Sequence, residues 1–124
     1  MAETFRVEST SSEVSGSKVV VLDIVGSVDS SVAKELEAAF MAALNDGSTW
    51  LVLGLSKMDY ISSAGLRLLL KFRKQAIEAG GALKIAALQR DIRENVFDAL
   101  GFSRLIDIYE TAEEALASIG QQKR

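Results

Sequence analysis

The sequence predicts a single α/β domain built on a mostly parallel mixed sheet of four or five strands, with about four helices. Two observations support this prediction. Short runs of β-branched and aliphatic residues alternate with segments whose apolar residues recur at helical spacing, which is the pattern of β-α-β units. The length of 124 residues and the apolar content of 48% suit one globular domain. We expect the domain to span residues 1–120, followed by a polar tail over residues 121–124.

The first predicted elements are two strands. Residues 4–8 alternate apolar and polar side chains at period two, which predicts a strand, and the serine-rich residues 9–17 predict a hairpin or loose turn. Residues 18–25 form a nearly continuous β-branched run that Gly26 ends, as expected for a central strand buried on both faces.

Helices and strands then alternate through the middle of the chain. Residues 30–35 carry a capping signal, and they begin a first helix whose apolar periodicity stops at residues 45–47. Residues 50–55 predict a second buried strand. A long helix is expected over residues 63–79, where Gly80 and Gly81 end it.

The last third of the chain predicts two more strands and two more helices. Residues 83–88 predict a third central strand, residues 90–100 a short helix, and residues 105–109 a final edge strand. Thr111 is expected to cap a last helix, and the polar residues from Gly120 onwards are expected to fray.

The composition excludes several classes of function. Fourteen basic against seventeen acidic residues give a net charge of −3 without a basic block, so nucleic acid is not an expected partner. Without cysteine or histidine, the chain lacks thiol catalysis, disulfides, thiolate metal sites and the commonest general base. We therefore expect no metal and no cofactor. No apolar run reaches the roughly 20 residues that cross a membrane, and the start lacks a signal peptide's pattern, so we expect a cytoplasmic protein.

Residues 58–67 are the most informative segment, because they place Ser62, Ser63 and Gly65 where an apolar strand gives way to a helix. The first backbone N–H groups of a helix lack intrahelical partners, and the helix dipole is positive there, so anions bind readily. Phosphorylation of a serine at this point adds about −1.5 to −2 charges without opposing the fold. The alternative interpretation is that both serines only cap the helix.

Asp29 is predicted to lie close to these serines. It follows one buried strand as the serines follow the next, and parallel strands place their carboxyl ends at one edge of the sheet. A phosphate on Ser63 would then increase the negative potential beside Asp29 and repel an acidic partner. The alternative is that Asp29 is a solvated turn residue or a cap of the first helix.

The apolar arc of the helix over residues 63–79 is wider than one contact with a sheet requires. The extra width has two explanations: packing of Leu68 and Phe72 against the neighbouring helix, which we favour, or exposure of one of them to a partner. Hydrolysis by Ser63 is not expected, because Ile61 stands where a nucleophile elbow needs glycine and no histidine is present to activate the hydroxyl. The sequence thus predicts a protein that is not an enzyme.

The motifs together are similar to those of a known family. Residues 25–29 and 60–66, with Gly80-Gly81 and residues 100–102, resemble the STAS domains of bacterial anti-sigma factor antagonists, and the likeness extends from Phe5 to Ile119. The resemblance implies a STAS-like fold and makes Ser63 the phosphorylated residue. It also implies an anti-sigma factor that is a serine protein kinase of the ATPase fold as partner, and a PPM-type serine phosphatase that restores the unmodified form.

Three positions depart from the family pattern. Ser62 stands where an aspartate is usual and is the alternative acceptor, Gly54 replaces an aspartate within the preceding strand, and Arg67 replaces a common glycine. The remaining alternatives are a STAS binding module in a non-sigma signalling pathway, and a constitutive scaffold module. We expect a monomer or weak dimer, and a switch and partner-binding surface formed by Ser27, Asp29, Ser62, Ala64, Gly65, Arg67 and Leu68.

Overall fold

The computed structural model describes residues 4–123, which form one five-stranded sheet flanked by helices. The strands, in their order across the sheet, are β1 (Arg6–Val14), β2 (Ser17–Val28), β3 (Trp50–Ile61), β4 (Ala82–Ala86) and β5 (Ile108–Tyr109). β1 is antiparallel to β2, and every other neighbouring pair is parallel. The helices are α1 (Ala33–Asn45), α2 (Ser63–Glu78), α3 (Arg90–Ile92), which continues as a π-helix over Arg93–Asp98, and α4 (Ala112–Gln122). The predicted mixed, mostly parallel α/β sheet with four helices is confirmed.

The helices cover the two faces of the sheet unequally. One face packs against α1, α2 and α3 in the larger core cluster, in which the rings of Phe40 and Phe72 stack with centroids 4.3 Å apart. The other face carries a smaller cluster, in which Ala115 and Ile119 of α4 cover Val21 and Val52. This division leaves α1 and α2 side by side, with the start of α2 at the carboxyl end of β3.

The predicted strand ends were wrong at three places. β1 continues to Val14, because this edge strand needs only the backbone ladder to β2 and its outward side chains can be serines. Gly26 does not end β2: it adopts a positive φ of 95° where the register to β3 shifts, and the strand continues to Val28. β3 continues from Leu55 to Ile61, along the extended β2.

Smaller differences occur near the carboxyl terminus. β4 ends at Ala86, and β5 is reduced to two residues after a 3₁₀ turn over Phe102–Arg104. The tail predicted from Gly120 is helical up to Gln122, whereas Arg124 lies outside the described residues. Over residues 4–123, no helix combines the length and the apolar character that crossing a membrane requires.

Candidate functional site

The junction between β3 and α2 is held by Ser62. Its backbone N–H donates to the carbonyl oxygen of Val28 at 2.9 Å, which ties the start of α2 to the end of β2. Its Oγ accepts a hydrogen bond from the backbone N–H of Gly65 at 3.2 Å, so Ser62 is the N-cap of the helix. The capping interpretation therefore holds for Ser62.

Ser63 has a different environment, although it is the next residue. It is the first residue of α2 and is exposed, and its hydroxyl makes no hydrogen bond to any other residue in the range 4–123. The adjacent backbone N–H groups belong to the first turn of a 16-residue helix, where the dipole favours negative charge. The hydroxyl of Ser63 is therefore accessible, and it is not needed as the cap.

Gly65 allows the helix to approach the sheet closely. It is buried, and a Cβ at this position would lie 2.8 Å from Cγ1 of Ile61, 2.9 Å from Cγ1 of Val28 and 3.1 Å from the Val28 carbonyl oxygen. Even the smallest side chain would push α2 away from the ends of β2 and β3. Its burial means that Gly65 acts on the predicted partner surface by positioning its neighbours, not by contact.

Asp29 lies beside this junction and is engaged locally. Its Oδ1 accepts hydrogen bonds from the backbone N–H of Ser31 at 2.8 Å and from the Ser31 hydroxyl at 2.5 Å, capping the 3₁₀ turn Ser30–Val32 that precedes α1. These bonds lower the pKa of Asp29 below its ordinary value, so the carboxylate is charged at neutral pH. The Ser62–Val28 hydrogen bond joins the residues that directly precede Ser63 and Asp29. The two residues therefore lie at the same edge of the sheet, as the parallel topology predicts.

A second polar contact at this edge was not predicted from the sequence. The hydroxyl of Ser27 donates to Oδ1 of Asp59 at 2.6 Å, and the next residue, Tyr60, has 54% of its surface exposed. Asp59 was missed because the predicted strand ended at Leu55. It lies where the register between β2 and β3 shifts, directly before Tyr60, the residue that pairs with Ser27.

A shallow hollow separates the starts of α1 and α2. Its lining consists of one residue from the 3₁₀ turn before α1, the first residue of α1 and four residues from one side of α2, namely Ser30, Ala33, Ala64, Arg67, Leu68 and Lys71. Lys71 forms an ion pair with Glu37 across the gap. Arg67 is exposed and forms no ion pair within the described chain. The hollow thus has an apolar floor with two cations at its rim.

The outward face of α2 differs at its two candidate contacts. Phe72 is fully buried and stacks on Phe40, so the packing interpretation holds for it and it does not meet a partner. Leu68 is half-buried in the hollow. Ile77, in the last turn of α2, is 47% exposed. Among residues 4–123 no group of three acidic side chains converges to hold a metal ion.

Comparisons with known proteins agree on one family. The family model described as STAS domain matches residues 11–115. BtrV of Bordetella bronchiseptica, provisionally named an anti-sigma factor antagonist, is 36% identical over 100 residues, which cover 81% of this chain and 85% of BtrV.

Solved structures share the fold. An anti-sigma factor antagonist from Mycobacterium paratuberculosis superposes with a TM-score of 0.77 at 21% identity, covering 96% of this chain and 98% of that one. The Bacillus protein SpoIIAA in its phosphorylated form superposes with a TM-score of 0.65 at 20% identity, covering 94% of this chain and 99% of that one.

Proposed function

The chain belongs to the STAS domain family, and from this premise we propose that it is an anti-sigma factor antagonist whose partner binding is switched by phosphorylation of Ser63. The proposal makes the protein a regulatory binding protein and not an enzyme. The observation that supports it most strongly is that two adjacent serines differ in their contacts. Ser62 caps α2, whereas the hydroxyl of Ser63 is exposed and forms no hydrogen bond with any other residue in the range 4–123.

This difference supports Ser63 over Ser62 as the acceptor. The half-buried Oγ of Ser62 already accepts the Gly65 N–H, so a phosphate there would disturb the cap that begins the helix. A phosphate on Ser63 leaves that bond intact and lies at the end of a helix that favours anions. Modification at Ser63 therefore changes surface charge without opposing the fold.

The surface around Ser63 suits a protein partner. The hollow beside it offers apolar area from Ala64 and Leu68 and a positive charge from Arg67, and the exposed ring of Tyr60 lies near the end of β3. We propose that the unmodified protein docks an anti-sigma factor of the ATPase-fold serine kinase class on this surface, with Ser27 and Asp29 at its edge. Phosphorylation by that kinase then releases it, and a PPM-type phosphatase reverses the change.

Release follows from the electrostatics of the site. Asp29 carries its charge at neutral pH, because the Ser31 hydrogen bonds lower its pKa. A phosphoserine would place about −1.5 to −2 further charges close to that carboxylate. An acidic group of the partner that tolerates one carboxylate would then face about 2.5 to 3 negative charges, which repel it.

Phosphorylation is tested with the host's ATPase-fold serine kinases, each incubated with the protein and ATP before mass spectrometry. We expect one phosphate on wild type and on Ser62→Ala, and none on Ser63→Ala. Unchanged incorporation into Ser63→Ala would overturn the assignment of the acceptor.

Binding is tested by titration calorimetry against the kinase that modifies the protein. Ser63→Glu should bind at least tenfold more weakly than its neutral isostere Ser63→Gln, because the two differ only in charge. Equal affinity of the two variants would indicate a constitutive binding module and would refute control of binding by phosphorylation of Ser63.

A further inference from the structure

The position of Arg67 on α2 bears on what happens to a phosphate on Ser63. The two residues are four positions apart on the same helix, so they are neighbours on its surface with Cβ atoms about 5–6 Å apart. Side chains of a helix lean towards its N-terminus, so the Arg67 side chain leans over the turn that contains Ser63. Both residues are exposed, and no described carboxylate pairs with Arg67.

Helix geometry also relates both residues to the hollow. At about 100° per residue, Arg67 lies roughly 40° from Ser63 around the helix axis, while Ala64 and Lys71 lie about 100° and 80° from it on the same side. Arg67 therefore stands between the serine and the centre of the hollow that it lines. Rotation about its side-chain bonds can bring the guanidinium from the hollow towards the serine.

We propose that Arg67 is the intramolecular counter-ion of phosphorylated Ser63, so that modification both adds negative charge and withdraws a cation from the docking hollow. This inference rests on the proposed modification of Ser63. A guanidinium binds phosphate through two parallel hydrogen bonds, which makes Arg67 a stronger partner for the phosphate than a point charge. The other cation of the hollow, Lys71, is two turns from Ser63 and is held by Glu37.

Two consequences follow for the surface. In the unmodified protein Arg67 is available at the rim of the hollow, where it can meet an acidic group of the partner. In the phosphorylated protein the same guanidinium is bound to the phosphate, so the partner loses its contact with Arg67 and meets a negative charge. Arg67 thus links the modified residue to a hollow that the phosphate itself need not enter.

The pairing can be measured without a kinase or a partner. Phosphoserine is incorporated at position 63 during translation, and its second ionisation, near pH 6, is followed by phosphorus NMR. A guanidinium favours the dianion of the phosphate. At low ionic strength, the pKa of the phosphate should therefore be about 0.2–0.4 lower in the protein that retains Arg67 than in the Arg67→Gln variant. Arg67→Lys should retain part of this shift, and 1 M salt should remove most of it.

Lys71→Gln is the matched control, since it removes an equal charge from the same side of α2 but leaves Arg67 in place. We expect the phosphate pKa of the Lys71→Gln variant to equal that of the protein that retains both Arg67 and Lys71. Equal phosphate pKa values with Arg67 present and in the Arg67→Gln variant would overturn the pairing, even if phosphorylation still releases the kinase. A shift that is present while phosphorylation leaves kinase binding unchanged would support the pairing and overturn the proposed function instead.

Discussion

Replacing Gly65 by alanine tests whether close approach of α2 to the sheet is what positions Ser63. The added Cβ would meet Cγ1 of Ile61 at 2.8 Å, Cγ1 of Val28 at 2.9 Å and the Val28 carbonyl oxygen at 3.1 Å. Ile61 and Val28 are branched and buried in the core, so neither can turn away freely.

The magnitude follows from two opposing contributions. Alanine is favoured over glycine in a helix by at most about 1 kcal/mol, whereas inserting a methyl group into a packed core costs about 1–3 kcal/mol. With two contacts below 3 Å and a third on backbone, the cost lies in the upper part of that range. We expect the free energy of unfolding to fall by about 1–2 kcal/mol, which lowers Tm by about 4–8 °C for a domain of this size.

The assay is thermal unfolding followed by circular dichroism, with Gly120→Ala as the control. Gly120 is also helical, but a Cβ there would meet only the Val14 and Ser15 side chains near the β1–β2 turn, at 3.2 and 3.7 Å. We expect its Tm to stay the same or to rise by a few degrees. A Tm for Gly65→Ala that matches or exceeds that of Gly120→Ala would refute the packing argument.

Two further predictions concern charges away from the switch. Asp107→Ala should lower the free energy of unfolding by about 1–3 kcal/mol, because it leaves the 5% exposed Lys84 without its 2.7 Å ion pair, whereas Lys84→Met should stay within about 1 kcal/mol of wild type in urea titrations. Burial and the nearby Glu8 raise the pKa of Asp23 in the folded protein above its ordinary value of 3.8. Its contribution to the free energy of unfolding is therefore fully present below pH 3.8 and is lost as the pH rises through the raised pKa. Asp23→Asn should therefore raise Tm at pH 7 but not at pH 3, and an equal rise at both would contradict the electrostatic cause.

The parts of the fold that the sequence predicted are those that bury apolar side chains in a regular pattern. The cores of β2 and β3, with α1 and α2, were located correctly because their burial requires β-branched runs and 3.6-residue periodicity. Edge strand β1 has no buried face along Glu8 to Ser11, so this part of its sequence carries no hydrophobic signal and resembles a loop. Its structure comes from pairing with β2, which is information from elsewhere in the chain.

The same reasoning explains what was found and missed at the site. Ser62, Ser63 and Gly65 could be singled out because caps and helix starts depend on local sequence. The Ser27–Asp59 bond depends on the register of two strands beyond a bulge, and the burial of Phe72 depends on its stacking partner in α1. Neither relation is local, so the Ser27–Asp59 bond was missed, and the burial of Phe72 was predicted only as one of two interpretations of the helix.

Pre-existing pairings limit how the surface can respond to a new charge at Ser63. The Asp29 carboxylate accepts hydrogen bonds from Ser31, and Lys71 forms an ion pair with Glu37. Either side chain would have to break an existing contact in order to move in response to a phosphate on Ser63. Arg67 lies in the first two turns of α2 and forms no ion pair with any residue in the range 4–123, so it can move without breaking one. Because the Ser62 cap and the Gly65 contact fix the backbone beneath Ser63, we expect a phosphate there to change side-chain positions and charge on a helix that stays in place.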